Sequence, residues 1–210
     1  MEFIDLTHMM ETDMPVFPGI DPPVFTNDFT IEKHGFREKN LNMYSHTGTH
    51  MDAPAHILEN GLTLDELSLS QFYGKGIVIK TTEPVINADF LRQFEKALGS
   101  TDFILLNTGW PKYWGTESYF ENFPVLSTDA AEYIASFSLK GFGVDAVSVD
   151  PAGSTELPVH NILLKEGMVI IENLVNLERL PDMDFTFLAF PLKIKQGDGS
   201  PVRAVARINT

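Results

Sequence analysis

No cysteine occurs among the 210 residues, so disulfides and thiolate metal sites are excluded, and any bound metal must be held by imidazole and carboxylate. Such donors favour harder or borderline ions, Zn or Mn. Basic residues are scarce: 15 Lys+Arg stand against 29 Asp+Glu, for a formal net charge of -14. Phosphate binding is driven by lysine and arginine, so nucleic acid and anionic membrane do not fit as partners, whereas small molecules and cations do. Long apolar runs are missing as well. No stretch approaches the roughly 20 residues of a membrane span. The N-terminus, MEFIDLTHMM, has no basic segment followed by an apolar run, so no secretory signal is visible and the cytoplasm is the expected location. There is no internal repeat, low-complexity tract or clean linker, and the length suits a single domain over residues 1–210.

What is present is a series of short apolar runs between turn residues. Runs at 3–6, 76–80, 103–106, 168–171, 185–190 and 204–208 have the composition of strands. Alternation around Val144, Ala146 and Ser148 predicts another strand, ending at Asp150-Pro151. Phe29 and Ile31 are spaced for a strand that His34-Gly35 breaks. Thr63 is placed to cap a single turn. Asn87 is placed to cap a helix carrying Phe90, Leu91, Phe94 and Leu98 on one face, with Gly99 in the left-handed position at its end. Ser127 or Thr128 caps a second helix, which Gly141 and Gly143 close. Two helices lying between strands predict one α/β domain.

The densest chemistry lies at 45–57, SHTGTHMDAPAHI, where three of the six histidines and an aspartate fall within eleven residues. His46 and His50 have the four-residue spacing of helical zinc sites, but Gly48, Thr49 and Pro54 oppose a helix. On an extended segment His50 and Asp52 share a face, and Gly48 allows a bend that swings His46 toward them. Two imidazoles and a carboxylate suit a divalent ion and leave positions open for water. Single histidines are commonly surface or capping residues. Four such groups in one short segment are harder to explain that way.

The run His46-Thr47-Gly48-Thr49-His50-Met51-Asp52-Ala53-Pro54-Ala55-His56 resembles the H-x-G-T-H-x-D-x-P-x-H hallmark of the cyclase family of metal-dependent hydrolases, whose members include bacterial kynurenine formamidases and isatin hydrolases. The resemblance spans most of the chain, from Asp5-Leu6-Thr7 through Thr108-Gly109-Trp110 and Val159-His160-Asn161 to the GDGSPVR segment at 197–203. It implies an α/β fold, a swivelling β/β/α domain with a barrel-like β core. It also implies a first metal held by His46, His50 and Asp52, and a second by Asp52, His160 and Glu172, with one or two Zn or Mn ions per subunit. By sequence alone His160 and Glu172 carry little signal.

His56 is implied to carry protons rather than bind metal, and its ordinary pKa near neutrality suits that work. The implied activity is attack of metal-activated water on a small-molecule amide, formamide, lactam or lactone, arylformamidase-like. A metal-dependent binding or sensing protein without turnover, and a biosynthetic cyclase or dehydratase, are alternatives. Family members assemble as homodimers or homotetramers, often with a neighbour's loop completing the site. Where kynurenine formamidases have tryptophan in a P-V-W-P-G loop, Phe17 stands here, an apolar wall lacking the indole donor. Trp110 is either a second wall or a packed core indole. Arg203 either meets a substrate carboxylate or forms a structural ion pair. His8 and His34 are expected to be surface or structural.

Overall fold

β-branched and aromatic residues in short runs make strands dominant, and the computed structural model describes them over residues 1–208. Among the described residues the strands are β1 (Glu2–Asp5), β2 (Val24–Phe29), β3 (Glu38–Asn42), β4 (His50–Asp52), β5 (Tyr73–Lys80), β6 (Val85–Ile86), β7 (Phe103–Asn107), β8 (Val125–Leu126), β9 (Gly141–Val144), β10 (Val169–Glu172), β11 (Phe185–Pro191) and β12 (Gly199–Ile208). The helices are short: α1 (Ile31–His34), α2 (Ala88–Arg92), α3 (Glu95–Leu98), α4 (Thr128–Ala135) and α5 (Pro158–Lys165). None of them is long and apolar enough to cross a membrane.

Seven strands close a mixed barrel in the order β12-β11-β5-β7-β9-β10-β4, with β4 returning to β12. β5, β7, β9 and β10 run parallel to one another in this ring, while β5 meets β11 and β10 meets β4 antiparallel; crossovers must join the parallel strands, and α2 to α5 lie in those crossovers. β12 completes the closure by pairing β11 along one edge and, through Gly199 to Pro201, β4 along the other; its far end, Val205 to Ile208, also pairs β1 outside the ring. The expected α/β architecture with a barrel-like core is what the chain forms.

The two faces of β5, β7 and β10 serve two cores. In β7, Phe103 and Leu105 point into the barrel with Met51, Ile171, Phe187 and Ala206, whereas Ile104 and Leu106 point outward to Leu91, Ile134, Val159 and Leu163 under the helices. The same period of two governs the antiparallel pair β4/β10, where Met51 sits opposite Ile171, Asp52 opposite Ile170 and His50 opposite Glu172. Met51 and Ile171 fill the barrel. His50, Asp52 and Glu172 therefore emerge together on the outer face, where α5 packs.

Several local expectations need correction. Gly141 and Gly143 do not end a helix; they lie in β9, where a Cβ on Gly141 would press on Phe103 and Val169, and one on Gly143 on Leu105 and Leu174. The strand stops at Val144, and 145–150 is a buried bend. Asn87 does cap, accepting from the Phe90 N–H at 2.9 Å, but the helix breaks into α2 and α3, and Gly99 ends it with a right-handed φ of -69°. Ile31 starts α1 rather than extending β2. α5, absent from the sequence reading, carries His160.

Candidate metal centre

Three segments deliver the polar groups. Gly48, at φ +66°, turns the chain so that His46 reaches back over β4, whose outer face carries His50 and Asp52. Glu172 ends β10 opposite His50. His160 comes from the first turn of α5, which Asp150 fixes: its carboxylate accepts the Val159 and His160 backbone N–H groups, each at 3.0 Å, and lies 2.6 Å from His160 Nδ1. A carboxylate is favoured at a helix N-terminus by the exposed donors and the dipole.

Each of the three imidazoles has one nitrogen turned to the carboxylates and the other turned out to an acceptor. His46 Nδ1 is 2.7 Å from Asp52 Oδ1, and its Nε2 is 2.9 Å from Asp198 Oδ2. His50 Nε2 is 3.3 Å from Asp52 Oδ1 and 3.5 Å from Glu172 Oε2, while its Nδ1 is 2.8 Å from the Gly48 carbonyl. His160 Nε2 is 3.7 Å from Asp52 Oδ2 and 3.3 Å from Glu172 Oε1. Asp52 thus presents Oδ1 to His46 and His50 and Oδ2 to His160. Asp52 Oδ2 and Glu172 Oε1 are buried without a hydrogen-bond partner, a costly state for a carboxylate unless a cation satisfies it. Donor atoms of His50, Asp52 and Glu172 all lie within 4.8 Å of one another, as do those of His46, Asp52 and His56. This set of nitrogen and oxygen donors, with outer acceptors orienting the rings, fits a divalent cation.

The electrostatics point the same way. Burial works against charge on His160, yet Asp150, Asp52 and Glu172 outweigh it and push the imidazole up to about 12. His46 is partly buried, which opposes its charge, but Asp52 and Asp198 outweigh that and raise it to about 9. Burial opposes ionisation of Asp52, and the three surrounding histidines still hold it well below the usual carboxylate range. The cluster demands positive charge, which protons supply when a cation does not. His56, ending the 3-10 turn Pro54–His56, goes the other way: burial lowers it, and His46 and His160 add to that against Asp52 and Glu172.

Residues 4–151 match the family model described as "Putative cyclase". The chain belongs to this cyclase family. It is 33% identical over 208 residues to a kynurenine formamidase of Bacillus cereus, covering 98% of this chain and 97% of that one. A solved structure described as a potential metal-dependent hydrolase with cyclase activity has a TM-score of 0.76 at 29% identity, over 98% of this chain and 96% of that one. An isatin hydrolase bound to the product analogue thioisatinate shares the fold, with a TM-score of 0.91 at 24% identity over 100% and 93% of the two chains.

Around this cyclase-family centre the structure separates the remaining candidates. Arg203 forms an ion pair: its guanidinium binds the Asp5 carboxylate twice, at 2.8 and 2.6 Å, on the exposed surface. It lies four residues along β12 from Gly199, about 13 Å by strand rise. In this structure Arg203 is engaged by Asp5 and makes no contact with the metal-ligand cluster. Trp110 takes the packed-indole alternative, resting on the outer core with its N–H donating to the Tyr119 carbonyl at 2.9 Å. Phe17 is 46% exposed; its neighbours Pro15 and Pro18 line a cleft of about 460 Å³ with Gly115, Thr116 and Phe120.

Other residues were not singled out by sequence. His8 is structural in an unforeseen way, stacked on Trp114 at 3.8 Å and 8°, with its backbone N–H on Thr49 Oγ1 at 3.0 Å. Asn173 donates to the same Gly48 carbonyl that faces His50, at 2.9 Å, and accepts from the Tyr119 hydroxyl at 2.7 Å. Asp150 and Asp198 face the outer nitrogens of His160 and His46. In the sequence Asp150 was only an acidic residue beside a turn, and Asp198 was marked only as part of the GDGSPVR segment. His34 lies in the exposed segment between β2 and β3, where Phe29 meets it edge-on at 5.0 Å.

Proposed function

We propose that the protein is a divalent-metal-dependent hydrolase of a small-molecule amide C–N bond, arylformamidase-like, acting on a formamide or a cyclic amide. The observation that carries this reading is the pair of buried carboxylate oxygens without a hydrogen-bond partner, Asp52 Oδ2 and Glu172 Oε1, both turned toward His160 Nε2, while His50 approaches the other oxygen of each carboxylate. Similarity to the kynurenine formamidase over nearly the full length of both chains supports the substrate class. His46, His50, Asp52, His160 and Glu172 would hold one or two Zn or Mn ions, with Asp52 shared between them. A bound cation supplies an activated water and a polarised carbonyl.

The chain's own residues do the rest. Burial in this pocket favours the neutral form of His56, so it can take a proton from the attacking water and return it to the departing nitrogen. Phe17 offers an apolar wall for the substrate body. Association into a homodimer or homotetramer is part of the proposal, supported by the apolar surface of the β2/β3 arm. Metal-stripped protein reloaded with Mn or Zn and offered formylkynurenine, isatin and simple lactones tests the activity. Metal-dependent hydrolysis of one of the first two, lost in His56→Ala, is expected; binding of metal without turnover of any would turn the reading toward a sensing protein.

A further inference from the structure

Asp198 stands on the loop between β11 and β12, apart from the strands and the helix that carry the donors. One oxygen does all its side-chain work. Oδ2 lies 2.9 Å from His46 Nε2, accepts from Ser45 Oγ at 3.4 Å, and is 3.9 Å from His56 Nδ1. Its backbone is held to the same place, because the Asp198 carbonyl accepts the N–H of Ala53, next to Asp52, at 2.9 Å. The preceding residues are tied down as well: the Gly197 carbonyl accepts from Leu64 N–H at 2.9 Å, and the Gln196 N–H donates to Asp65 at 3.0 Å.

Gly199 completes the arrangement. It pairs in register with Asp52, and a Cβ there would overlap the His46 ring, so the imidazole occupies space that only glycine leaves. The His56 ring lies 4.0 Å from the His46 ring, within the same enclosure. Asp150, which serves His160, is fully buried, whereas the Asp198 side chain is 49% exposed. The two imidazoles at the solvent side therefore share one carboxylate.

We propose that Asp198 is a positioning residue for both rings: with Gly199 it forms a socket that keeps His46 Nδ1 turned to Asp52 and holds His56 beside it. This rests on the metal-centre reading above. An outer carboxylate of this kind fixes which ring nitrogen is free to bind and costs about 10- to 100-fold in metal affinity when removed.

The test titrates metal-stripped wild type, Asp198→Ala, Asp198→Asn and Gly199→Ala with Mn²⁺ against a competing chelator, and follows hydrolysis at saturating metal. Asp198→Ala is expected to weaken Mn²⁺ binding about 10- to 100-fold, and Asp198→Asn, which keeps an acceptor for His46 Nε2–H, by less than about tenfold. Gly199→Ala should lose at least as much as Asp198→Ala, which keeps the inference testable should that variant not fold. At saturating metal, Asp198→Asn should lower kcat about tenfold with KM unchanged, since it removes the charge beside His56. Wild-type Mn²⁺ affinity in Asp198→Ala or Gly199→Ala overturns the socket, and unchanged kcat overturns the His56 part. If wild type itself binds neither Mn nor Zn, it is the metal-centre reading that fails.

Discussion

His8 shows how much one side chain can depend on its surroundings. Its ring is stacked on Trp114, its Nε2 is buried without a partner, and burial pushes its pKa down to about 4 from an ordinary 6.5. A histidine with a depressed folded-state pKa favours the fold while neutral. Its contribution is complete above about pH 6.5 and is lost as pH falls toward 4, by up to about 1.4 kcal/mol for each pH unit in that window. Urea unfolding of wild type and His8→Gln at pH 7 and pH 5 measures this. Wild type should lose more stability than the variant between the two, and equal losses would show that the ring is accessible to protons. In the sequence His8 was an isolated histidine in a loop, because the partner that defines it, Trp114, lies more than a hundred positions away. His46, His50 and Asp52 were legible for the opposite reason: a period-two pair and a glycine bend are local.

At the scale of elements, α5 is the instructive case. Val159 and Leu163, one turn apart and buried, with Pro158 at the first position, mark a helix start. The eight residues were too few for the pattern to stand out, so His160 had the look of a loop residue. Asp150 makes the element functional by closing its N-terminus and orienting the imidazole together. Asp150→Ala is therefore expected to cost about 2 kcal/mol of stability through lost capping and about tenfold or more in metal affinity. Denaturation and a metal titration on the same preparation check both, and a stability loss with unchanged affinity would confine Asp150 to capping.

β9 was misread for a related reason. Gly141 and Gly143 have the look of helix terminators in a single sequence, while their actual cause, the crowding of Phe103, Leu105, Val169 and Leu174 from neighbouring elements, is tertiary. Gly141→Ala should lose about 1–3 kcal/mol by overpacking. A variant as stable as wild type in thermal or urea unfolding would mean the barrel wall relaxes there.

At the scale of the whole molecule, barrel closure could not be read from runs of hydrophobicity, because it depends on β12 pairing β11 along one edge and β4 along the other. Strand existence is a local property; strand order is not. The same scale exposes a part of the chain that the barrel does not explain. Among the described residues β2 and β3 pair only with each other, and Val24, Ile31, Phe36 and Leu41 are each about half exposed, at 51%, 57%, 49% and 54%. A two-stranded hairpin is marginal in water by itself, and exposed apolar side chains distributed over this arm, Val24 on one face and Leu41 on the other, offer area that association would bury. With a net charge of -14 the chain repels copies of itself at long range, so association must come from apolar burial. The proposed homo-oligomer uses this arm. Replacing Phe36 and Leu41 together by aspartate should convert it to a monomer in light scattering at micromolar concentration, while the metal affinity of the barrel centre stays within about twofold. A wild-type protein that is already monomeric under those conditions, or a double variant that stays assembled, would place the contact elsewhere.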